Sequence, residues 1–313
     1  MKRKLLLILC CLLPLFGCAS EIARSAAGFA CDTVVTVTAY APQEIVDGTL
    51  QVIADYESVL SRTVEGSDVW KLNHAEGAPV EVHPETAALL RLAVEIGEKS
   101  EGAFDATIAP ASALWDFSAD HPELPDPDAL RAAITRVDYR NIVIDGNTVT
   151  LQNGAEIDLG GIAKGFIADR VAEYLHGQGV KSACINMGGN VVTIGTKPNG
   201  GLWTVGVRDP NGTPEQSEEV LELKDAAVVT SGNYERFFLK DGVRYHHILD
   251  PKTGMPVSNG LASVTIIGAR SDLCDALSTA CFVCGEKKSR ALLDQYGVRA
   301  IFLYSDGTRT AYP

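Results

Sequence analysis

The chain has 313 residues, with 27 Lys and Arg against 40 Asp and Glu, a formal net charge of −13. No basic stripe runs through it, which excludes a nucleic-acid surface. A phosphate-bearing ligand would need local compensation from a metal, a Lys or backbone N–H groups. The length suits one large domain or two intimate ones with ample core.

Met1-Lys2-Arg3-Lys4 opens the chain and an uncharged apolar run, Leu5 to Phe16, follows. A basic start and a short apolar core make a secretory signal, too short to span about 30 Å of hydrocarbon. Its end, Leu15-Phe16-Gly17-Cys18, resembles the bacterial lipobox. That resemblance implies cleavage after Gly17, acylation of Cys18, and a chain held by lipid on the outer face of the cytoplasmic membrane. Residues 18–29 then read as a lipidated Cys with a spacer, and 30–313 as the folded domain. Cys10 and Cys11 leave with the signal and Cys18 takes the lipid. Of 8 cysteines, five therefore remain: Cys31, Cys184, Cys274, Cys281 and Cys284. An odd number is no disulfide framework. Cys281-x-x-Cys284 sits in an apolar helical run and reads as buried thiols.

Thr33–Ala41 alternates like a strand. Residues 43–60 place Val46, Leu50, Ile53 and Leu60 at a helical period, and a second helix opens at Pro84 and stops between Gly97 and Gly102. Pro122–Pro127 is a loop, and residues 140–158 form a hairpin turning at Asp145-Gly146-Asn147. A helix runs from Ile162 to Gly177. Strands are expected at Ala183–Asn186, Leu202–Val207, Ala226–Thr230, Phe237–Lys240, Arg244–Leu249 and Ala262–Ile267. Helices at about Asp272–Cys284 and Lys287–Tyr296 and a strand at Arg299–Tyr304 close the chain, followed by a turn at Ser305-Asp306-Gly307. The elements lack regular βαβ alternation, so the fold class is α+β, with mixed sheets and packed helices.

Four segments set a carboxylate or His among Gly and apolar residues. In Gly102-Ala103-Phe104-Asp105-Ala106-Thr107 the Asp is either a turn cap or a site group. Ile157-Asp158-Leu159-Gly160-Gly161-Ile162-Ala163-Lys164-Gly165 brings a strand end, two glycines and a helix start together, where an anion can sit. Lys164 in the first turn runs against the helix dipole; it is either solvated or meets a phosphate. His246 and His247 close a strand on opposite faces, so one can be structural while the other enters a cleft. In Ser271-Asp272-Leu273-Cys274-Asp275, Asp272 reads as an N-cap. Asp275 and Thr279 share one face of a buried helix. A buried carboxylate needs a partner, either a basic side chain or a hard cation such as Mg2+, which takes oxygen ligands.

Six motifs in this order resemble the ApbE family of FAD:protein FMN transferases. They are Gly102–Thr107, Asp158–Gly165, Asn186-Met187-Gly188-Gly189-Asn190, Ser231-Gly232-Asn233-Tyr234, His247-Ile248-Leu249-Asp250-Pro251-x-x-Gly254 and Asp275-Ala276-Leu277-Ser278-Thr279. The resemblance implies an ApbE-like, T-fold-like architecture. It also implies Mg2+-dependent transfer of FMN from FAD to a Thr hydroxyl of an exported electron-transport subunit, with release of AMP. It puts the metal on Asp275, Thr279 and the main-chain oxygen of Gly161. The flavin contacts fall on Ala103, Phe104, Asp105, Asp158, Lys164 and Leu249, and the family His on His247, a candidate to orient or deprotonate the Thr hydroxyl. Two pocket positions depart from the family pattern: Cys31 stands where Met is common, and Thr63 where an aromatic residue is common. Two alternatives stay open, an Mg2+-dependent FAD pyrophosphatase and a non-catalytic FAD-binding surface lipoprotein.

Overall fold

The computed structural model describes residues 22–213 and 216–313. The leader and Cys18 lie outside the described residues. Strands β1 (Arg24–Ala30) and β2 (Thr33–Ala39) lead into α1 (Gln43–Leu60), α2 (Asp68–Asn73), β3 (Val80–Glu81) and α3 (Pro84–Lys99). Two short helices follow, α4 (Ala109–Ser112) and α5 (Pro127–Ile134), then β4 (Ile142–Asp145), β5 (Thr148–Leu151) and α6 (Ala163–Gly177). The second half runs β6 (Ala183–Met187), β7 (Asn190–Ile194), β8 (Trp203–Arg208), β9 (Ser217–Leu223), β10 (Ala226–Gly232), β11 (Phe237–Lys240), β12 (Val243–His246) and β13 (Leu261–Gly268). It ends with α7 (Ser271–Cys284), α8 (Glu286–Tyr296), β14 (Arg299–Tyr304) and β15 (Arg309–Tyr312).

The main sheet has eight strands in the order β1-β2-β6-β7-β10-β13-β14-β15. Among the described residues every named strand pair is antiparallel. The fold is α+β as expected, with more uniform pairing than mixed sheets. One face of the sheet is buried under α1, α6 and α7. Val35, Val37, Ile185 and Val229 there meet Ile53, Phe166, Val171, Leu277 and Phe282 in the main core. The β8–β9 hairpin covers the other face, with Val205, Val207 and Leu221 packed on Val191, Val228, Ile267, Ile301 and Leu303. Among the described residues no helix is long and apolar enough to cross a membrane.

The spacer expectation is corrected at its C-terminal end. Arg24–Ala30 is an edge strand, paired with β2 from Arg24↔Ala39 to Ala30↔Thr33. Its Ala and Gly residues carry little strand propensity, which hid it in the sequence. The hairpin turns on Cys31 and Asp32, both with positive φ (51° and 58°). A two-residue hairpin turn requires that backbone, and neither residue adopts it freely. The turn is pinned where Cys31 N–H donates to Glu57 Oε1 at 2.7 Å.

Helices α6 and α7 approach at Gly165. A Cβ there would stand 2.2 Å from Ser271 O and 2.7 Å from Asp275 Cβ. Gly165→Ala is therefore expected to destabilise the fold by about 3 kcal/mol and to part α7 from α6. A chemical denaturation midpoint close to wild type would contradict this.

The N-terminus of α7 is also not as expected. Its N-cap is Arg270, whose side chain makes no cap bond. The cap comes from across the interface, where Asp169 of α6 accepts from Ser271 N–H at 3.0 Å and Asp272 N–H at 2.9 Å. Asp272 is instead held by Arg270 at 2.7 Å. Burial and the Asp272 charge raise the Asp169 pKa, with the two N–H donors opposing them.

Candidate active site

A cavity of about 760 Å³ opens at one end of the main sheet, between the β1–β2 turn, α4, the Asp158–Lys164 turn, the β11–β12 hairpin and α7. That volume lies within the range of small-molecule sites. The structure brings together at its wall Cys31, Ala103, Phe104, Asp105, Asp158, Gly161, Lys164, His247, Leu249, Asp275 and Thr279. One predicted residue is missing from it. Thr63 is exposed, and its Oγ1 sits 3.0 Å from Ser61 Oγ, folded back on its own turn. Arg62 faces the cavity instead.

The oxygen-rich corner is built from α6 and α7. Asp275 is 3% exposed, and its Oδ2 accepts from Gly165 N–H at 2.8 Å. Burial raises its pKa, opposed by Lys164, the Gly165 N–H and the Asn190 amide. One turn later on the same helix face, Thr279 Oγ1 lies 3.2 Å from Ser231 Oγ. Gly161 is pressed against this hydroxyl, since a Cβ on it would come 3.2 Å from Thr279 Oγ1 and 3.2 Å from Phe104 Cε2. A side chain here would press on both neighbours, which would have to give by a few tenths of an ångström. Asp275 and Thr279 bring a carboxylate and a hydroxyl to this corner beside the Gly161 main chain, and hard oxygens of this kind fit Mg2+.

The Asp158–Lys164 turn is wired internally. Asp158 Oδ1 accepts from Gly160 N–H at 2.9 Å, its Oδ2 meets Ser112 Oγ at 3.1 Å and Arg62 Nε at 3.3 Å, and Lys164 Nζ donates to Gly160 O at 3.2 Å. Asp105 serves the scaffold more than the cavity. Its Oδ1 takes the Thr107 hydroxyl at 2.6 Å and the Thr107 N–H at 2.8 Å, and its Oδ2 takes Tyr139 N–H at 2.9 Å. Burial raises its pKa against those bonds.

The two His residues divide as expected. His246 is buried, with Nε2 3.0 Å from Val257 O and Nδ1 accepting from Ile248 N–H. His247 lines the cavity, with Nδ1 3.3 Å from Arg236 O. Burial first, then the Arg236 and Lys164 charges, lower its pKa to about 3. The ring is therefore neutral at physiological pH, a hydrogen-bonding group facing the cavity that burial makes a weak base. Cys31 moves the other way. Burial and the Glu57 charge push its thiol up to about 12, so it lines the cavity as a small apolar group rather than a nucleophile.

Sequence reasoning missed the aromatic wall, where Trp115, Phe117 and Phe237 line the cavity and Phe238 and Tyr245 pack behind them. Trp115 and Phe117 stack with centroids 5.7 Å apart, and Trp115 packs with Phe238 and Tyr245 of the β11–β12 hairpin. Leu249 joins this cluster. Trp115 Nε1 donates to Gly254 O at 2.9 Å, which ties the loop to the Asp250–Gly254 turn. Two large aromatics in the polar run Trp115-Asp116-Phe117-Ser118 were the available signal. Ser231 opened the Ser231-Gly232-Asn233-Tyr234 motif without a role of its own, and Arg62 and Ser112 carried no signal beyond their places in the chain.

Comparison with known proteins agrees with this geometry. Residues 31–302 match the ApbE family. The FAD:protein FMN transferase of Treponema pallidum is 43% identical over 268 residues, covering 80% of this chain and 74% of that protein. A Klebsiella pneumoniae protein of the same name is 38% identical, over 81% of this chain and 80% of its own. The crystal structure of the ApbE protein of Thermotoga maritima superimposes with a TM-score of 0.85 at 35% identity, covering 92% of this chain and 96% of that one. Apo flavinyl transferase ApbE of Pseudomonas stutzeri gives 0.82 at 27% identity, over 93% and 94%. The match spans the β1–β2 turn, the Gly-Gly turn and α7, all the parts that build the cavity, and on these grounds the chain belongs to the ApbE family.

Proposed function

We propose that the cavity binds FAD and that the chain transfers its FMN moiety to a Thr hydroxyl of an exported electron-transport protein, with Mg2+ as cofactor and AMP as the other product. One observation carries this reading: Asp275, Thr279, Gly161 and Lys164 meet in the same cavity as a neutral His247. The names of the relatives supply the donor and the class of acceptor.

In the reaction the Thr oxygen bonds to the phosphorus of the FMN half, and the bond from that phosphorus to the bridging oxygen breaks. AMP leaves with the bridging oxygen, and the hydroxyl proton passes to a base. His247, in the cavity wall, would orient the hydroxyl or take its proton. Phosphoryl transfer depends on positioning and charge neutralisation more than on covalent help from the protein. Mg2+ held by Asp275, Thr279 and the Gly161 carbonyl would supply Lewis-acid polarisation of the diphosphate oxygens. Lys164 adds a fixed positive charge, and the aromatic wall offers apolar surface for the isoalloxazine.

Incubation with FAD, Mg2+ and a Thr-bearing acceptor tests the assignment. In-gel flavin fluorescence of the acceptor together with AMP release is the expected result. AMP release alone would mean hydrolysis by water, and neither signal would mean binding without turnover.

We also propose that Cys18 carries a lipid and fixes the chain on the membrane face where its acceptors stand. Tethering raises the effective concentration of the two partners. The anchor lies apart from the chemistry, so Cys18→Ser is expected to partition into the aqueous phase of a detergent extraction and to process FAD at the wild-type rate. Loss of activity in the soluble variant would count against this.

A further inference from the structure

The cavity wall carries three cations, Arg62, Lys164 and Arg236, against the carboxylates Asp32, Asp105, Asp116, Asp158, Glu235 and Asp275. A dinucleotide with a charged diphosphate thus enters a wall with more acids than bases. Arg236 is turned to the β1–β2 side, 3.9 Å from Asp32. Arg62 and Lys164 flank one turn: Lys164 bonds Gly160 O, Gly160 N–H bonds Asp158, and Arg62 Nε meets Asp158.

The loop between α1 and α2 fixes Arg62 in this place. Ser61 N–H donates to Glu57 O at 3.0 Å, Ser67 Oγ donates to Ser61 O at 2.5 Å, and Ser67 N–H donates to Val64 O at 3.1 Å. With the backbone held so, residue 62 faces inward and Thr63 outward. Asp158 has partners in Ser112 and Gly160 without Arg62. Arg62 reaches it by Nε only, and its Nη groups bond to none of the described residues. A guanidinium with its fork free, beside a Gly-Gly turn, is suited to a phosphate. The diphosphate holds the formal negative charge of FAD.

We infer that Arg62 is a specificity-determining residue that binds the diphosphate of the dinucleotide, in a pocket where the chain presents Thr63 away from the ligand. The inference rests on the FAD reading above. It is tested by equilibrium binding of ADP and of riboflavin, each with Mg2+, to wild type, Arg62→Met and Arg62→Lys. Met keeps the stem of the side chain on an exposed loop, and the thermal unfolding midpoint checks the fold. Arg62→Met is expected to bind ADP about tenfold more weakly, the loss of one charge-assisted bond, with riboflavin affinity unchanged. Arg62→Lys recovers part of the ADP affinity, because charge remains while the fork is lost. Unchanged ADP affinity in Arg62→Met overturns the inference. An equal fall for ADP and riboflavin does so too, since Arg62 would then act through Asp158 or the loop. Wild-type protein that releases no AMP from FAD would instead sink the parent reading.

Discussion

Asp275→Asn is expected to lower Mg2+-dependent AMP release from FAD by about 10³-fold, while unfolding within a few degrees of wild type. The two halves of this expectation come from different atoms. The Asn side chain keeps an oxygen to accept the Gly165 N–H that Asp275 Oδ2 now takes at 2.8 Å, so the α6–α7 contact survives. What disappears is the negative charge, which is the main attraction of this corner for a divalent cation. Removing a buried charge is not itself destabilising. Burial already disfavours the ionised form of Asp275, and a neutral amide relieves that cost. The loss in rate corresponds to about 4 kcal/mol of transition-state stabilisation, which is the scale of a metal contact to a developing charge. Steady-state AMP release across an Mg2+ titration, beside a thermal melt, checks both halves. Wild-type turnover in Asp275→Asn would remove the metal assignment.

His247→Gln should slow FMN transfer to a protein acceptor by about 10²-fold or more, the usual yield of a positioned base, with FAD binding retained. The pH dependence follows from its surroundings. The His247 pKa is lowered from 6.5 to about 3 by burial, Arg236 and Lys164. The ring therefore stays neutral at every pH above about 4, and the transfer rate should show no protonation step near 6.5 from this residue. For stability the sign is equally definite. The unfolded ring takes a proton near pH 6.5 and the folded ring resists it. Stability is complete above that pH and falls as the pH drops from 6.5 towards 3. A wild-type rate that halves near pH 6.5, with the step absent in His247→Gln, would show that the ring titrates normally and would contradict this account.

Much of the site was legible because its motifs combine residue types that an ordinary core avoids. Asp275 and Thr279 on an otherwise apolar helix, and Lys164 at a helix start, each break a local rule, and all line the cavity. The periodic helices α1, α3 and α6 were legible because one face of each is apolar, and α7 because it is apolar nearly all round. What escaped was set by tertiary contacts. β1 is an Ala- and Gly-rich edge strand whose pairing with β2 has no local signature. The cap of α7 comes from Asp169, 102 residues from the Ser271 N–H it accepts, so the adjacent Asp272 looked like the natural choice. Whether residue 62 or 63 faces the cavity depends on hydrogen bonds around Ser61 and Ser67, and the family resemblance pointed to Thr63. Behind the aromatic wall, Trp115 packs on Phe238 and Tyr245, partners that no periodicity links.

The most direct measurement is the mass of a Thr-bearing acceptor after incubation with the protein and FAD, with Mg2+ and with a chelator. The account predicts an increase equal to FMN less one water, mapped to a Thr side chain, present with Mg2+ and absent with chelator. An unmodified acceptor in the presence of Mg2+, or the same adduct formed with the metal removed, would contradict it.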